Sequence, residues 1–477
     1  MTIDWSLIET RAADALHDTI VEIEGWAMPL DPTAQSADYF LLAADAPCCG
    51  GCMPRNPATS MEVFAARHVV LGDEGIRLRG RLLRLEDDPA GWRYQLVAAM
   101  PTAVQPGTEA ARISRRRVFL AAGAAMGLAA CAPGRFANYT DAQPEAASAW
   151  TPPPGTLTID IHSHAGRVTV SRDPKLGANR PFLPVAAPMR TGGMQVICLA
   201  IVTDTTAVHV APGGNRFEAF RTPEPGELYQ LGMTEFARAQ RLIEREQLHV
   251  VTDAASLVAT GRQGPSVIIA SEGADFLEGR IDRVDEAYTQ HRLRHLQLTH
   301  YRVNELGDIQ TEPPVHGGLT DFGADVVRRC NALGIVVDVA HGTYDLVKRA
   351  AATTTKPLVL SHTALAGPAR ARSRLISADH ARAVADTGGV IGVWPNATDF
   401  PSLDAMAIGV KRMADVVGVA HVGLGTDMLG FIKQPVFTSY AQLPALATAL
   451  LKAGFTPVEV GEILGGNYRR VFEATVG

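Results

Sequence analysis

From residue 155 on, short apolar runs alternate with longer stretches of helical period. The runs cover residues 157–164, 196–202, 267–272, 293–300, 335–341, 358–362, 390–394 and 422–427, with 248–251 as a weaker ninth. Between them apolar side chains recur at spacings of three and four, the period of a helix with one buried face. The interval 320–333 shows this best. Leu319, Phe322, Val326, Val327, Cys330 and Leu333 share one stripe, Thr320 can cap the start, and Gly334 follows the end. Cys330 therefore reads as core. Eight strands alternating with helices over 155–477 predict an α/β fold, a (β/α)8 TIM-type barrel.

The first hundred residues carry a different pattern. Runs at 20–28, 39–44, 61–65 and 76–85 are short, alternating or β-branched, and separated by Asp, Pro and Gly. Residues 5–17 predict one short helix. A small, mostly β domain of unknown role, a barrel or sandwich, is expected over 1–108.

Residues 109–154 join the two. Arg115, Arg116 and Arg117 precede a mildly apolar run at 118–130. That run is shorter than the ~20 residues a helix needs to span a bilayer. A basic start, a short apolar stretch and small residues before a cut form the layout of an export signal. The arginines followed by Val-Phe-Leu resemble a twin-arginine signal. Leu128-Ala-Ala-Cys131 resembles a lipoprotein cleavage box, with Cys131 as the lipidated residue. The Pro-, Ala- and Ser-rich stretch 132–154 then reads as a linker. An exported, periplasmic or membrane-anchored lipoprotein is expected, with Cys131 holding it to the membrane surface. The signal's internal position implies a cytoplasmic domain over 1–110, a physiological start at Met100, or a gene fusion.

Composition narrows the classes. Apolar residues make up 47% and charged residues 20%, ordinary for a globular chain. A net charge of −6 leaves no basic excess, which argues against nucleic acid as a partner. Six cysteines are too few for a disulfide scaffold. Cys48, Cys49 and Cys52 crowd together. Two thiolates three apart can share a zinc, with His68 as a further ligand; the alternative is a tight turn with buried cysteines.

The ends of the barrel runs carry the chemistry. They offer His162 and His164, Glu272, His300, His341, His362 and Asp427. In such barrels the active site gathers where strands end. Residues two apart on a strand share a face, so Asp160, His162 and His164 are expected on one side and Leu157, Ile159 and Ile161 on the other. His162, His164, Glu272, His341 and His362 make a five-member nitrogen and oxygen donor set. That exceeds the three protein ligands of a single catalytic zinc. It suits two metal ions ~3.5–4 Å apart sharing one carboxylate. The imidazoles favour zinc, and other divalent metals such as manganese or iron also fit. Cys198 reads as a buried strand residue.

Taken together, Ile159-Asp-Ile-His-Ser-His164, Ala270-Ser-Glu-Gly273, Leu298-Thr-His300, Asp338-Val-Ala-His341, Leu360-Ser-His362, Arg374, Gly423-Leu-Gly-Thr-Asp427 and Gly466-Asn-Tyr-Arg-Arg-Val-Phe-Glu473 resemble the membrane dipeptidase family, the M19 zinc dipeptidases of the amidohydrolase superfamily. The resemblance covers about 155–477. It implies that His162, His164 and Glu272 hold one zinc and Glu272, His341 and His362 the other, Glu272 bridging. The family pattern usually has Asp where this chain has His164, which raises the site's charge by one. The resemblance further implies hydrolysis of dipeptides by a water activated between the ions. In it Asp427 is the general base and then acid, His300 polarises the scissile carbonyl, and Arg374, close to Arg370 and Arg372, binds the substrate carboxylate.

Two other readings are open. One is a different amidohydrolase-type enzyme acting on a lactone or an N-acyl amino acid. Binuclear members of that kind often bridge their metals with a carboxylated lysine, and no Lys ends a run here. The other is a catalytically inactive, lipid-anchored binding protein. A small peptide is the expected ligand and a homodimer is compatible with the barrel. Stereochemical preference falls to the loops after Val202 and Asp427, and 202–221, with its Pro-Gly-Gly-Asn stretch, reads as a lid.

Overall fold

The computed structural model describes residues 1–29, 36–46, 59–71, 75–85, 93–102, 150–172, 175–211, 216–366, 374–432 and 435–477. The chain divides into two compact units, the first carrying the N-terminal strands and the second the described residues from Trp150 on.

In the first unit β1 (Thr19–Pro29), β2 (Ser36–Ala43), β3 (Ser60–Val70), β4 (Ile76–Arg84) and β5 (Tyr94–Pro101) close into a barrel in the order β1-β2-β3-β5-β4. Neighbours are antiparallel except β3 and β5, an arrangement like that of five-stranded OB-fold barrels. Val21 and Ile23 of β1, Leu78 and Leu82 of β4 and Leu96 of β5 alternate into one core. The fifth strand is absent from the run pattern. The expected helix over 5–17 is broken: Trp5–Glu9 is capped by Asp4, Arg11 turns left-handed at φ 62°, and Ala12–Leu16 continues as a 3-10 turn. Met100 lies within β5, so a chain begun there would lose the rest of this barrel. Cys48, Cys49 and Cys52 lie outside the described residues, as does the side chain of His68. The signal-like segment 114–131, Cys131 included, also lies outside them. Among the described residues no helix is long and apolar enough to cross a membrane.

The second unit is a (β/α)8 barrel. Its strands are β6 (Ile159–Ser163), β7 (Val196–Val202), β11 (Ser266–Glu272), β12 (Leu293–Gln297), β13 (Val336–Asp338), β14 (Val359–Thr363), β15 (Val390–Val393) and β16 (Val422–Leu424). Each pairs in parallel with the next, and a bridge between Ser163 and Met428 joins the last to the first. The weak ninth run becomes β10 (His249–Val250), which pairs with the start of β11 outside the ring. A hairpin of β8 (Val208–Val210) and β9 (Phe217–Ala219) follows β7. The Pro-Gly-Gly-Asn tip of the expected lid lies outside the described residues.

Alternation sorts the strand residues into two layers. Ile197, Leu199 and Ile201 of β7 face the surrounding helices. Val196, Cys198 and Ala200 face inward, with Ile268, Ala270, Val336, Val359 and Val390. Tyr468, Val471 and Phe472 of the helix Asn467–Val476 join that inner layer and fill the barrel floor. The helix Asp321–Leu333 is capped by Thr320, whose side chain accepts from Gly323 N, and ends at Gly334 with φ 77°. Cys330 and Cys198 are both buried. Trp150, expected in the linker, packs against the barrel and donates from Nε1 to Pro457 O at 3.0 Å.

One expectation fails on β6. Ile159 and Ile161 do join the inner layer, but Asp160 does not share a face with His162. Its carboxylate accepts from Thr426 Oγ1 at 2.5 Å and Tyr440 OH at 2.7 Å. A register shift between Asp160 and Ser163 breaks the period of two and brings His162 and His164 into the mouth of the barrel.

Candidate metal centre

Glu272 ends β11 and is 2% exposed. Its Oε1 lies 3.5 Å from His162 Nε2, 3.2 Å from His341 Nε2 and 3.4 Å from His362 Nε2. Its Oε2 lies 3.1 Å from His164 Nε2 and 3.2 Å from His300 Nε2. Asp427 Oδ1 is 3.4 Å from His164 Nε2. Strand ends far apart in sequence thus meet around one carboxylate. Three overlapping groups have ligand geometry: His162, His164 and Asp427; His162, Glu272 and His362; Glu272, His300 and His341.

This donor set fits cations. His341 Nε2 and His362 Nε2 face each other at 3.0 Å. Burial, with Arg374 beside His341 and His162 beside His362, holds both imidazoles well below their ordinary pKa, so both are neutral at pH 7. His162 Nε2 is buried without a hydrogen-bond partner. Neutral imidazole lone pairs converging on a carboxylate make a poor hydrogen-bond network and a good ligand shell. Burial opposes charging His164, but Asp427 and Glu272 outweigh it and lift its pKa to about 10. That proton sits on the nitrogen a cation would take.

A second layer orients the first. His164 Nδ1 donates to Ala200 O at 2.8 Å, which leaves Nε2 as its ligand atom. His362 Nδ1 pairs with Ser361 Oγ at 2.9 Å. Asp338 Oδ1 accepts from Ala340 N at 2.9 Å and Ser361 N at 3.0 Å, bracing the residues before His341 and His362. Asp160 Oδ1 accepts from His162 N at 3.2 Å and Thr426 N at 2.9 Å, doing the same for the β6 and β16 ends. His341 and Asp427 hold left-handed backbone, φ 67° and 47°. For residues other than Gly this costs about 1–3 kcal/mol and persists only where the surroundings fix it. Here Asp427 N donates to His162 O at 3.0 Å and Gly430 N to Asp427 O at 2.9 Å. A Cβ on Gly430 would overlap the Asp427 carboxylate and crowd the His164 ring.

His300 Nδ1 pairs with Asp204 Oδ1 at 2.8 Å. Burial works against its charge, but Asp204 and Glu272 prevail and raise its pKa. Arg374 donates from Nη1 to Gln310 Oε1 at 2.6 Å, and its Cζ sits 5.5 Å over the Trp394 ring. The Tyr301 hydroxyl bonds to it. Arg370 and Arg372 lie outside the described residues. All eight residues singled out from the run ends and the arginine motif therefore border one pocket. Asp204, Tyr301, Gln310 and Trp394 escaped that reading. Only Trp394, which ends the run 390–394, and Tyr301, next to His300, carried any local signal.

Comparisons with known proteins agree with this architecture. The model of the membrane dipeptidase family (peptidase family M19) matches residues 186–476, beginning after the His162 and His164 strand. Dipeptidase verJ of Clonostachys rogersoniana is 28% identical over 188 residues, 38% of this chain and 48% of that protein. Dipeptidase aclJ of Aspergillus oryzae is 27% identical over 215 residues, 43% of this chain and 50% of that one. The chain spans about half the length of these curated relatives. Among solved structures, a metallo peptidase from Rhodobacter sphaeroides, liganded with a phosphinate mimic of the dipeptide L-Ala-D-Ala, superposes with a TM-score of 0.56 at 22% identity, covering 67% of this chain and 99% of that one. The probable dipeptidase PvdM from Pseudomonas aeruginosa gives 0.54 at 15% identity, covering 67% and 95%. At these identities the superpositions establish the shared fold.

Proposed function

We propose, from the premise that the chain belongs to the membrane dipeptidase family (peptidase family M19), that it hydrolyses dipeptides with two divalent ions, zinc foremost. The carrying observation is Glu272, one buried carboxylate within 3.5 Å of five imidazoles. Following the family pattern, His162, His164 and Glu272 would hold one ion and Glu272, His341 and His362 the other. Bound there, the ions would supply an acidified water and Lewis acidity toward a carbonyl.

The chain's own groups do the rest. Asp427 accepts a proton on its carboxylate and later returns it to the leaving amine, as general base and then acid. His300, held by Asp204, directs its Nε2–H at the carbonyl oxygen as negative charge grows there. Arg374 grips the terminal carboxylate of the substrate; its Nε is buried without a partner among the described residues, a donor left for a ligand. The Trp394 ring lies against that guanidinium and the Tyr301 hydroxyl bonds to it, which hold it in place. His164, an imidazole where the family pattern has Asp, leaves the loaded site one charge more positive.

The test uses the full chain. Metal analysis should find about two divalent ions per chain, and short dipeptides should be hydrolysed in a chelator-sensitive way. Asp427→Asn should keep its metal and lose turnover by roughly 10²–10⁴-fold. Normal turnover in that variant removes the acid-base role. Glu272→Gln should lose metal and activity together. For location, the segment 114–131 supports export and a lipid anchor at Cys131; fractionation of a Cys131→Ala variant into the membrane pellet would refute the anchor.

A further inference from the structure

Arg172 lies beyond the end of β6, outside every motif used so far. Its guanidinium carbon sits 4.4 Å over the ring of Phe217 on β9. The Phe217 ring lies 5.0 Å from Tyr301 at a tilt of 47°, and Tyr301 lies 4.5 Å from the His300 ring and 4.7 Å from the His341 ring. Val208 and Val210 pack with Phe217 against Tyr301, so the hairpin forms one wall of the catalytic pocket. Arg172 is mounted on that wall.

Among the described residues no carboxylate forms an ion pair with it, and of their fields only those of Asp204, Glu272 and Glu235 reach it. Its Nε is buried with no hydrogen-bond partner. The carboxylates whose fields reach it are otherwise engaged. Asp204 gives one oxygen to His300 Nδ1 at 2.8 Å and the other to Tyr301 N at 3.1 Å. Glu272 is ringed by the metal-site imidazoles. Glu235 accepts from Val170 N at 2.9 Å, and burial pushes its pKa up to about 8, so at neutral pH it is mostly protonated. A partly desolvated cation that no described carboxylate pairs with is costly unless a ligand supplies a counter-ion. Arg374, by contrast, already has Gln310 and the Tyr301 phenol as partners.

We propose that Arg172 is a second anion-binding residue of the substrate pocket, and that it selects dipeptides containing Asp or Glu by taking the side-chain carboxylate while Arg374 takes the terminal one. The substrate class rests on the dipeptidase reading; the anion site does not.

Steady-state kcat/KM on the metal-loaded full chain should be compared within the isosteric pairs Ala-Glu and Ala-Gln, and Glu-Ala and Gln-Ala. A charge-assisted hydrogen bond predicts an acid preference of about 10–100-fold in one pair. Arg172→Met should bring that ratio close to one, and Arg172→Lys should restore part of it. Equal rates within both pairs in the wild-type protein overturn the inference while leaving dipeptide hydrolysis intact. Calorimetric titration with glutarate and butyrate adds a readout free of turnover. Should no dipeptide be cleaved while glutarate binds at least tenfold more tightly than butyrate, and only with Arg172 present, the anion site stands and the dipeptidase reading falls. Equal binding of the two acids overturns the anion site.

Discussion

Replacing Asp338 tests how far the metal pocket depends on groups that never touch substrate. Asp338 is fully buried and receives three donors: Ala340 N at 2.9 Å, Ser361 N at 3.0 Å and His295 Nε2 at 3.1 Å. Asp338→Ala orphans all three. At about 1–3 kcal/mol for each buried unsatisfied donor, the loss is roughly 3–9 kcal/mol, comparable to the ~5–15 kcal/mol that holds a typical domain together. Asp338→Asn should behave differently. Its carbonyl keeps the two backbone donors, and its amide faces His295. His295 can then move its proton to Nδ1 and donate to Tyr468 OH, 2.9 Å away. Tyr468, whose hydroxyl accepts from Cys198 Sγ at 3.2 Å, can then turn its own O–H toward that sulfur. With every partner retained, the loss should be about 1–2 kcal/mol, a few degrees in Tm. Zinc affinity should fall by about 10–100-fold, as for other residues that orient ligands. Burial pushes the Asp338 carboxyl up, but His295 outweighs it and holds the pKa below the ordinary value. The wild-type advantage over Asp338→Asn is therefore full above pH ~4 and fades as pH falls through the native pKa. Thermal melts and zinc titrations of the three proteins are the assay. An Asp338→Ala protein within 1 kcal/mol of wild type, with unchanged zinc affinity, would refute the bracing role.

Gly430→Ala should keep fold and metal content but lower kcat by at least tenfold, because the new methyl displaces Asp427; unchanged kcat would show that the loop yields. Glu235→Gln should melt higher than wild type at pH 8.5 and similarly at pH 5. The folded carboxyl, with pKa about 8, holds a proton that the unfolded chain releases above about 4.5, so stability drains away between those values in wild type alone. Parallel melts at the two pH values would settle it. Thr320→Ala, which removes the helix cap accepting from Gly323 N, should cost about 0.5–2 kcal/mol in denaturant unfolding and leave kcat/KM unchanged.

Much of the barrel was legible because its strands are short apolar runs and its chemistry sits where they stop. Glu272, His341, His362 and Asp427 could be read for that reason. Period-two logic misled at β6, where a register shift turns Asp160 outward and His162 inward; such a shift leaves no mark in a single sequence. Tyr94–Pro101 went unread because its Val97-Ala-Ala-Met stretch has too little β-branched character to stand out. Asp204 and Arg172 were invisible for another reason. Their significance is a spatial relation to His300 and Phe217, and such pairings have no period along the chain.

The bonded relay Cys198–Tyr468–His295–Asp338 runs from the floor of the barrel to the strand ends beneath two of the imidazoles. Tyr468 follows both of those imidazoles in chain order. During synthesis the mouth is therefore made before the tyrosine that braces it from below. On the proposed metal reading, a nascent chain should bind metal late, once translation has passed that tyrosine.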